Sequence, residues 1–341
     1  MTYSWLVIMQ VLQVLIFLIS IDFMKSVQIS KYGSSDVIKI DENSPLPSPS
    51  TGKIQAKIIA AGVNPADWKI REGHFREMMP LQFPATLGID FSGVVEQIGE
   101  VNSDASLDFK QGDEVYGQAS ISSGGSGAFA ELALANNDSI AHKPKSLNHL
   151  EAAGLPLVGV SAWQALVENI GLSKDQKILI HGGAGGIGSM AIQLAKHLGA
   201  YVGTTVSIND KQFVQELGAD QIIDYKKENF EDKLHDYDAV FDTVGGETYK
   251  RSFRVLAKGS GIIVSMLEQP NSELMNQYGI KALFLFSQVN RQRLTKLAQW
   301  VDQNNIKVNI DKTFPLDEAA KALDYQRDVH PRGKVVLTVA S

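Results

Sequence analysis

Three glycines, Gly183, Gly185 and Gly188, fall at G-x-G-x-x-G spacing between an apolar run, residues 178–181, and an amphipathic stretch that continues to Leu198. At that spacing the first glycine allows a tight turn, the second lets the backbone approach a pyrophosphate, and the third lets helix and strand pack closely. Gly186 and Ile187 complete the turn, and the helix that follows offers unpaired N–H groups and a partial positive charge to phosphates. The chain has no cysteine, which removes thiolate nucleophiles, disulfides and cysteine-bound zinc together. His181, His197 and His235 show no ligand spacing and are read as structural or solvent-facing. A site without thiolates or histidine ligands can still transfer hydride when a nicotinamide carries the chemistry and the protein supplies orientation.

The elements that must position this turn follow from the rhythm of the chain. At 341 residues it is too long for one ordinary core. After Met24, short β-type runs at 26–30, 37–40, 53–61, 93–98, 114–117 and 128–135 are punctuated by turn residues, giving a mainly β domain over 24–150. The serine-glycine loop 120–127 is expected to be mobile. From Glu151 the pattern alternates helix and strand, with strands at 177–181, 200–205, 221–223, 239–243 and 261–265, as in a doubly wound parallel sheet over 151–288. The tail, 289–341, carries a helix at 291–303 and a closing strand at 334–339 and is expected to return to the β domain. Phe284, Leu285 and Phe286 are read as a core or subunit-contact strand, with the wall of an apolar substrate pocket as the alternative.

Composition excludes some partners. With 32 basic and 38 acidic residues the formal charge is −6, and no basic run offsets it, so no nucleic acid is expected. Residues 5–21 are almost wholly apolar, at the short end of what spans a bilayer. No Lys or Arg precedes them and no small-x-small site follows, which disfavours a signal peptide. Residues 1–23 are read as a superfluous extension ahead of an ordinary cytoplasmic start at Met24, with a membrane anchor as the alternative.

The chain from Met24 to Val339 resembles the zinc-free quinone oxidoreductase branch of the medium-chain dehydrogenase/reductase superfamily. The likeness is carried by Ala61-Gly62-Val63-Asn64-Pro65-Ala66-Asp67-Trp68, Gly88-Ile89-Asp90-Phe91-Ser92-Gly93, Gly112-Asp113-Glu114-Val115-Tyr116-Gly117, Gly127-Ala128-Phe129-Ala130-Glu131, Glu151-Ala152-Ala153-Gly154-Leu155-Pro156, the glycine turn, Leu217-Gly218-Ala219-Asp220 and Gly333-Lys334-Val335-Val336-Leu337. It implies an α/β fold with a GroES-like catalytic domain and a Rossmann domain, NADPH as cofactor, no metal, and a homodimer. Zinc-dependent relatives would carry cysteine at Asn64 and histidine at Ile89.

The second-strand end, Gly203 to Ser207, has no carboxylate to hold a ribose 2′-hydroxyl, so a 2′-phosphate meets no repulsion there. The resemblance places phosphate contacts on Ser207, Lys211 and Tyr225, and Asp210 is read as a solvated loop acid, with a contact to a 2′-hydroxyl as the alternative if the loop curls back. It also places Asn64, Asp67 and Lys69 beside the nicotinamide and substrate, with Asn64 a donor to a substrate oxygen. Lys69 stands where many relatives have a proton-donating tyrosine, and another hydroxyl or water is an open alternative as proton source. Ser161, read as the start of a helix, matches a nicotinamide contact, and Thr243 and Ser265 sit at strand ends where ligands bind. An acceptor reduced without a Lewis acid must already be electron-poor, which suits quinones, enones and enals. Two other readings stay open: a non-catalytic NADPH-binding or structural relative, and an enoyl-thioester reductase.

Overall fold

The computed structural model describes residues 23–100 and 108–339. The apolar run 5–21, and the anchor and extension readings made of it, lie outside the described residues.

The first half is built from β1 (Phe23–Ile29), β2 (Ile38–Pro45), β3 (Lys53–Val63), helix α1 (Pro65–Arg71), β4 (Ala85–Thr86), β5 (Asp90–Ile98), β6 (Glu114–Gln118), β7 (Leu132–Asn136), β8 (Ile140–His142) and helix α2 (His149–Ala153). Alternation sets the faces of β3, where Ile54, Ala56 and Ile58 are fully buried and Lys57 between them is exposed. The 128–135 run forms a strand only from Leu132, because Ala128 to Ala130 serve as partners for β1 and Leu87 through isolated backbone bonds. The serine-glycine loop is not loose: Ser120 accepts from the N–H of Ser122, and Gly125 and Gly127 donate to Ser120 O and Ala119 O at 2.8 Å each.

The second half runs α3 (Pro156–Trp163), a π-helical continuation over Gln164–Ile170, β9 (Lys177–His181), α4 (Gly186–His197), β10 (Tyr201–Val206), α5 (Lys211–Glu216), β11 (Gln221–Asp224), β12 (Ala239–Asp242), α6 (Gly246–Ser252), β13 (Ile262–Ser265), α7 (Ser272–Tyr278) and β14 (Lys281–Phe284). Its six strands lie in the order β11-β10-β9-β12-β13-β14, and every pairing is parallel. Helices cover both faces of such a sheet, so β9 and β12 read as continuous apolar runs, with Ile178, Leu179, Ile180, Val240 and Phe241 fully buried.

The chain then forms α8 (Arg291–Asn304), β15 (Ile310–Pro315), α9 (Ala319–Val329) and β16 (Lys334–Thr338). β16 pairs antiparallel with β3, Val335 opposite Val63, and parallel with β15, inside a sheet ordered β15-β16-β3-β5-β6-β8 with β7 also on β3. The last strand therefore crosses back to the first half and lies beside its longest strand. Among the described residues no helix is long and apolar enough to cross a membrane.

Candidate functional site

A cleft of about 620 Å³ opens between the two halves, running from the β9–α4 turn past the β10 end to the junction of β3 with α1. The turn itself is shaped by contacts that tolerate no side chain. Gly182, not Gly183, takes the left-handed conformation, with φ 71°, so the tight turn lies one residue earlier than the spacing implied. Gly183 is a close-approach residue: a Cβ there would stand 2.1 Å from Thr204 Oγ1, and Gly183 does not line the cleft. At Gly188 a Cβ would meet Gly182 O at 2.2 Å, which is how helix and strand come to pack closely. Gly185 caps α4, and Gly186, Ile187 and Gly188 line the cleft with it. The first-turn N–H groups of α4 therefore face open space able to take an anion. This cradle fits a dinucleotide pyrophosphate.

Farther along, Ser207 and Tyr225 line the cleft, Tyr225 being 59% exposed. Lys211 is exposed at the start of α5 and is not in the lining. Asp210 is not a solvated loop acid. It lines the cleft and is ion-paired to Arg332 from the α9–β16 connection, whose Nη2 also donates to Asn209 O at 2.7 Å. Arg332 had no signal in the sequence, because it lies about 120 residues away from the strand end it touches.

Thr243 lines the cleft and donates to His181 O at 2.8 Å. Ser265 does not. Its hydroxyl donates to Asp242 Oδ2 at 2.7 Å and accepts from the N–H groups of Leu267 and Glu268, so it shapes the loop after β13. Ser161 is the sixth residue of α3 and not its cap. It is fully buried, donates to Leu157 O at 2.6 Å and bonds Ser287 at 2.5 Å, away from the lining. His181 is buried between Thr205 Oγ1 at 3.0 Å and Ser252 Oγ at 2.9 Å, and that burial pulls its imidazole down to about 4.

The opposite end of the cleft is floored by a buried polar group. Asn64 precedes Pro65, the first residue of α1, and the Asp67 carboxylate accepts the Asn64 N–H at 2.7 Å. The Asn64 amide is fully buried and committed on both sides: Nδ2 donates to Asp90 Oδ2 at 3.0 Å and Oδ1 accepts from Lys334 Nζ. One of the two Nδ2 N–H groups is thereby taken by Asp90, and the amide oxygen by Lys334. Lys334 Nζ also donates to Val63 O at 2.9 Å, and Asp90 further accepts from Gln118 at 2.8 Å and from Leu157 N–H at 3.1 Å. Burial pushes Asp67 up to about 8 and raises Asp90, while burial lowers Lys334 against the pull of both carboxylates. Lys69 is half-buried with its ammonium 5.5 Å from the centre of the Trp68 ring, and it is not in the lining. Sequence reasoning missed Lys334, since a lysine opening an apolar strand reads as a solvated strand end.

A parallel nucleotide-type sheet, a glycine cradle and a polar floor facing it across one cleft define a nicotinamide-dependent dehydrogenase or reductase. Residues 50–145 match the alcohol dehydrogenase GroES-like domain and 217–337 match a family described as zinc-binding dehydrogenase. The chain is 36% identical to the 2-methylene-furan-3-one reductase of Solanum lycopersicum, covering 92% of this chain and 79% of that protein. It is 35% identical to the chloroplastic NADPH-dependent alkenal/one oxidoreductase of Arabidopsis thaliana, with the same 92% and 79% coverage. The solved quinone oxidoreductase of Coxiella burnetii superposes with a TM-score of 0.83 at 34% identity, covering 93% of this chain and 99% of that one. The chain belongs to the medium-chain dehydrogenase/reductase superfamily, with the quinone and alkenal oxidoreductases. Its donor set does not fit zinc: there is no cysteine, Ile89 is apolar, Asn64 is engaged by Lys334, and among the described residues no three His, Asp or Glu converge as ligands.

Proposed function

We propose that the chain transfers hydride from NADPH to quinones or α,β-unsaturated carbonyls, without a metal. The observation that carries this reading is that one continuous cleft joins the α4 cradle to the polar floor beneath Val63 and Asn64. NADPH supplies a hydride to an electron-poor carbon. Backbone N–H groups at Gly186 to Gly188 bind the pyrophosphate, with Gly183 and Gly185 shaping their turn, and Thr243 borders the middle of the cofactor. Ser207, Tyr225 and Arg332 surround the 2′-phosphate, Lys211 reaching it from the rim. Ser161 and Ser265 act behind this surface, holding the α3 and β13 ends that face the nicotinamide. The acceptor lies near Pro65 and Gln326, and Lys69, one turn along α1, supplies a proton through solvent. We further read the chain as a homodimer, joined along β14, an edge strand beside which Phe286 is 66% and Leu267 50% exposed.

The test is a turnover panel in chelated buffer: quinones, enones, enals and enoyl thioesters, each with NADPH and NADH, followed by loss of reduced-nicotinamide absorbance. Turnover of quinones or enones with NADPH is expected. Tight NADPH binding without turnover on any acceptor would overturn the reading in favour of a binding protein, and activity restored only by a divalent cation would overturn its metal-free part.

A further inference from the structure

We infer that Lys334 is a catalytic residue for this reaction: its ammonium, built into the cleft floor, is the cation that meets the oxygen of the bound acceptor. The inference rests on the hydride-transfer reading. Lys334 opens β16, lines the cleft and is 4% exposed, whereas its neighbour Asn64 has no exposed surface. An ammonium has three N–H donors and no acceptor. Two are committed, to Val63 O and to Asn64 Oδ1, and among the described residues no acceptor takes the third. Asp90, the carboxylate whose charge bears most on Lys334, accepts from Asn64, Gln118 and the Leu157 N–H.

The surrounding charges keep that cation useful. Burial pushes Asp67 up to about 8, so its carboxyl carries little negative charge at neutral pH, and the attraction of Asp90 opposes the burial that lowers Lys334. The Asn64 amide lies between them with its oxygen on the ammonium and its nitrogen on the carboxylate. This separation prevents the two charges from collapsing onto each other, which would quench the field at the cleft. The aliphatic stem of Lys334 packs against the glycine turn, since a Cβ on Gly186 would lie 3.0 Å from Lys334 Cδ. The cation therefore sits where the cofactor cradle and the acceptor end converge.

For an enone the balance is simple. Hydride given up by a C–H bond of the reduced nicotinamide, leaving NADP+, forms a C–H bond at the β carbon, the C=C π pair moves to join Cα to the carbonyl carbon, and the C=O π pair becomes a lone pair on oxygen. Charge develops on that oxygen, and the free Lys334 N–H faces it while the lysine keeps its proton. A proton from water then adds at Cα and the carbonyl reforms. A fixed donor in a dry site acts on the transition state in this way, and losing one such donor costs about 10²–10³ in rate.

Lys334→Met keeps the stem against Gly186 and removes the charge. The expected result is a fall in kcat of about 10²–10³ on a weakly electrophilic enone, a much smaller fall on 1,4-benzoquinone, and an unchanged NADPH dissociation constant by fluorescence. A role confined to stability would lower both acceptors equally, so equal loss on the two, or no loss, overturns the inference. Because Lys334→Met strands Asp90, the double variant Lys334→Met/Asp90→Asn, neutral throughout, is measured alongside. It is expected to retain the melting temperature but show the same acceptor-dependent loss, and recovery of enone kcat in it overturns the inference. Wild type that turns over no acceptor at all refutes instead the hydride-transfer reading.

Discussion

Replacing Arg332 with alanine separates the two reduced nicotinamides in a way the rest of the cleft does not. Arg332 is ion-paired to Asp210 at the end of the cleft where the proposed reading puts the cofactor ribose, and its side chain is 47% exposed against 21% for Asp210. A hydrogen bond to a charged group is worth about 1.5–3 kcal/mol, and half-exposure to solvent brings an arginine–phosphate contact here down to about 1–1.5 kcal/mol. Removing Arg332 also unmasks Asp210, a negative charge beside the 2′-phosphate, adding about 1 kcal/mol of repulsion near the solvent-screened limit. Together these weaken NADPH by about 2 kcal/mol, or roughly 30-fold. NADH carries no phosphate and gains Asp210 as an acceptor for its 2′-hydroxyl, so its affinity holds or improves. The assay is kcat/KM for both cofactors at a saturating quinone, and the NADPH-to-NADH ratio should fall about 30-fold or more. Arg332→Ala/Asp210→Ala should recover part of the lost NADPH affinity. An equal change for the two cofactors would refute the placement of the phosphate and leave Arg332 as a structural clamp.

Four further outcomes follow from the same geometry. Gly188→Ala places a methyl 2.2 Å from backbone Gly182 O, so unfolding free energy should drop by about 1–3 kcal/mol and NADPH binding, read by fluorescence, should be lost. His181 is held near pKa 4 against an ordinary 6.5; the unfolded chain takes up its proton first, so the full stability is present above pH 6.5. About 3 kcal/mol is then lost as pH falls to 4, and denaturant titrations of His181→Asn should show a flatter dependence than wild type across that window. Lys69→Gln should lower kcat on enones with KM for NADPH unchanged, and an unaltered kcat would remove Lys69 from proton delivery. Light scattering should give a dimer mass for the wild type, shifted to monomer by Phe286→Glu.

How far the sequence carried these conclusions differs between elements. β9 matched its apolar run residue for residue because a strand buried on both faces leaves an uninterrupted hydrophobic signature. β8 is three residues long, too short for any period to register, and β15 is Ile-Asp-Lys-Thr-Phe-Pro with Asp311, Lys312 and Thr313 exposed, so its polar edge read as loop. Phe284 to Phe286 divide as their registers require: Leu285 is buried in the core and its two neighbours are exposed. In the site, the glycine cradle was legible because its chemistry is local, with all its parts within seven residues, Gly182 to Gly188. Arg332 and Lys334 were not. Each acts on a partner more than 100 residues away, and the pairing of β16 with β3 and the bridge of Gly333 to Gly185 bring them there.

That pairing bears on how the chain is made. Strands β9 to β14 are contiguous, so their sheet can assemble while downstream residues are still inside the ribosome, but the β3 sheet waits for β16, which follows all of them in the chain. Until then the Ala60–Val63 end of β3 stays bare, open to chaperones or to mispairing, while β7 covers its Lys53–Lys57 end. A chain that stops after Phe284 and before Gly333 should therefore carry a finished nucleotide sheet and lack the strand that completes the other half.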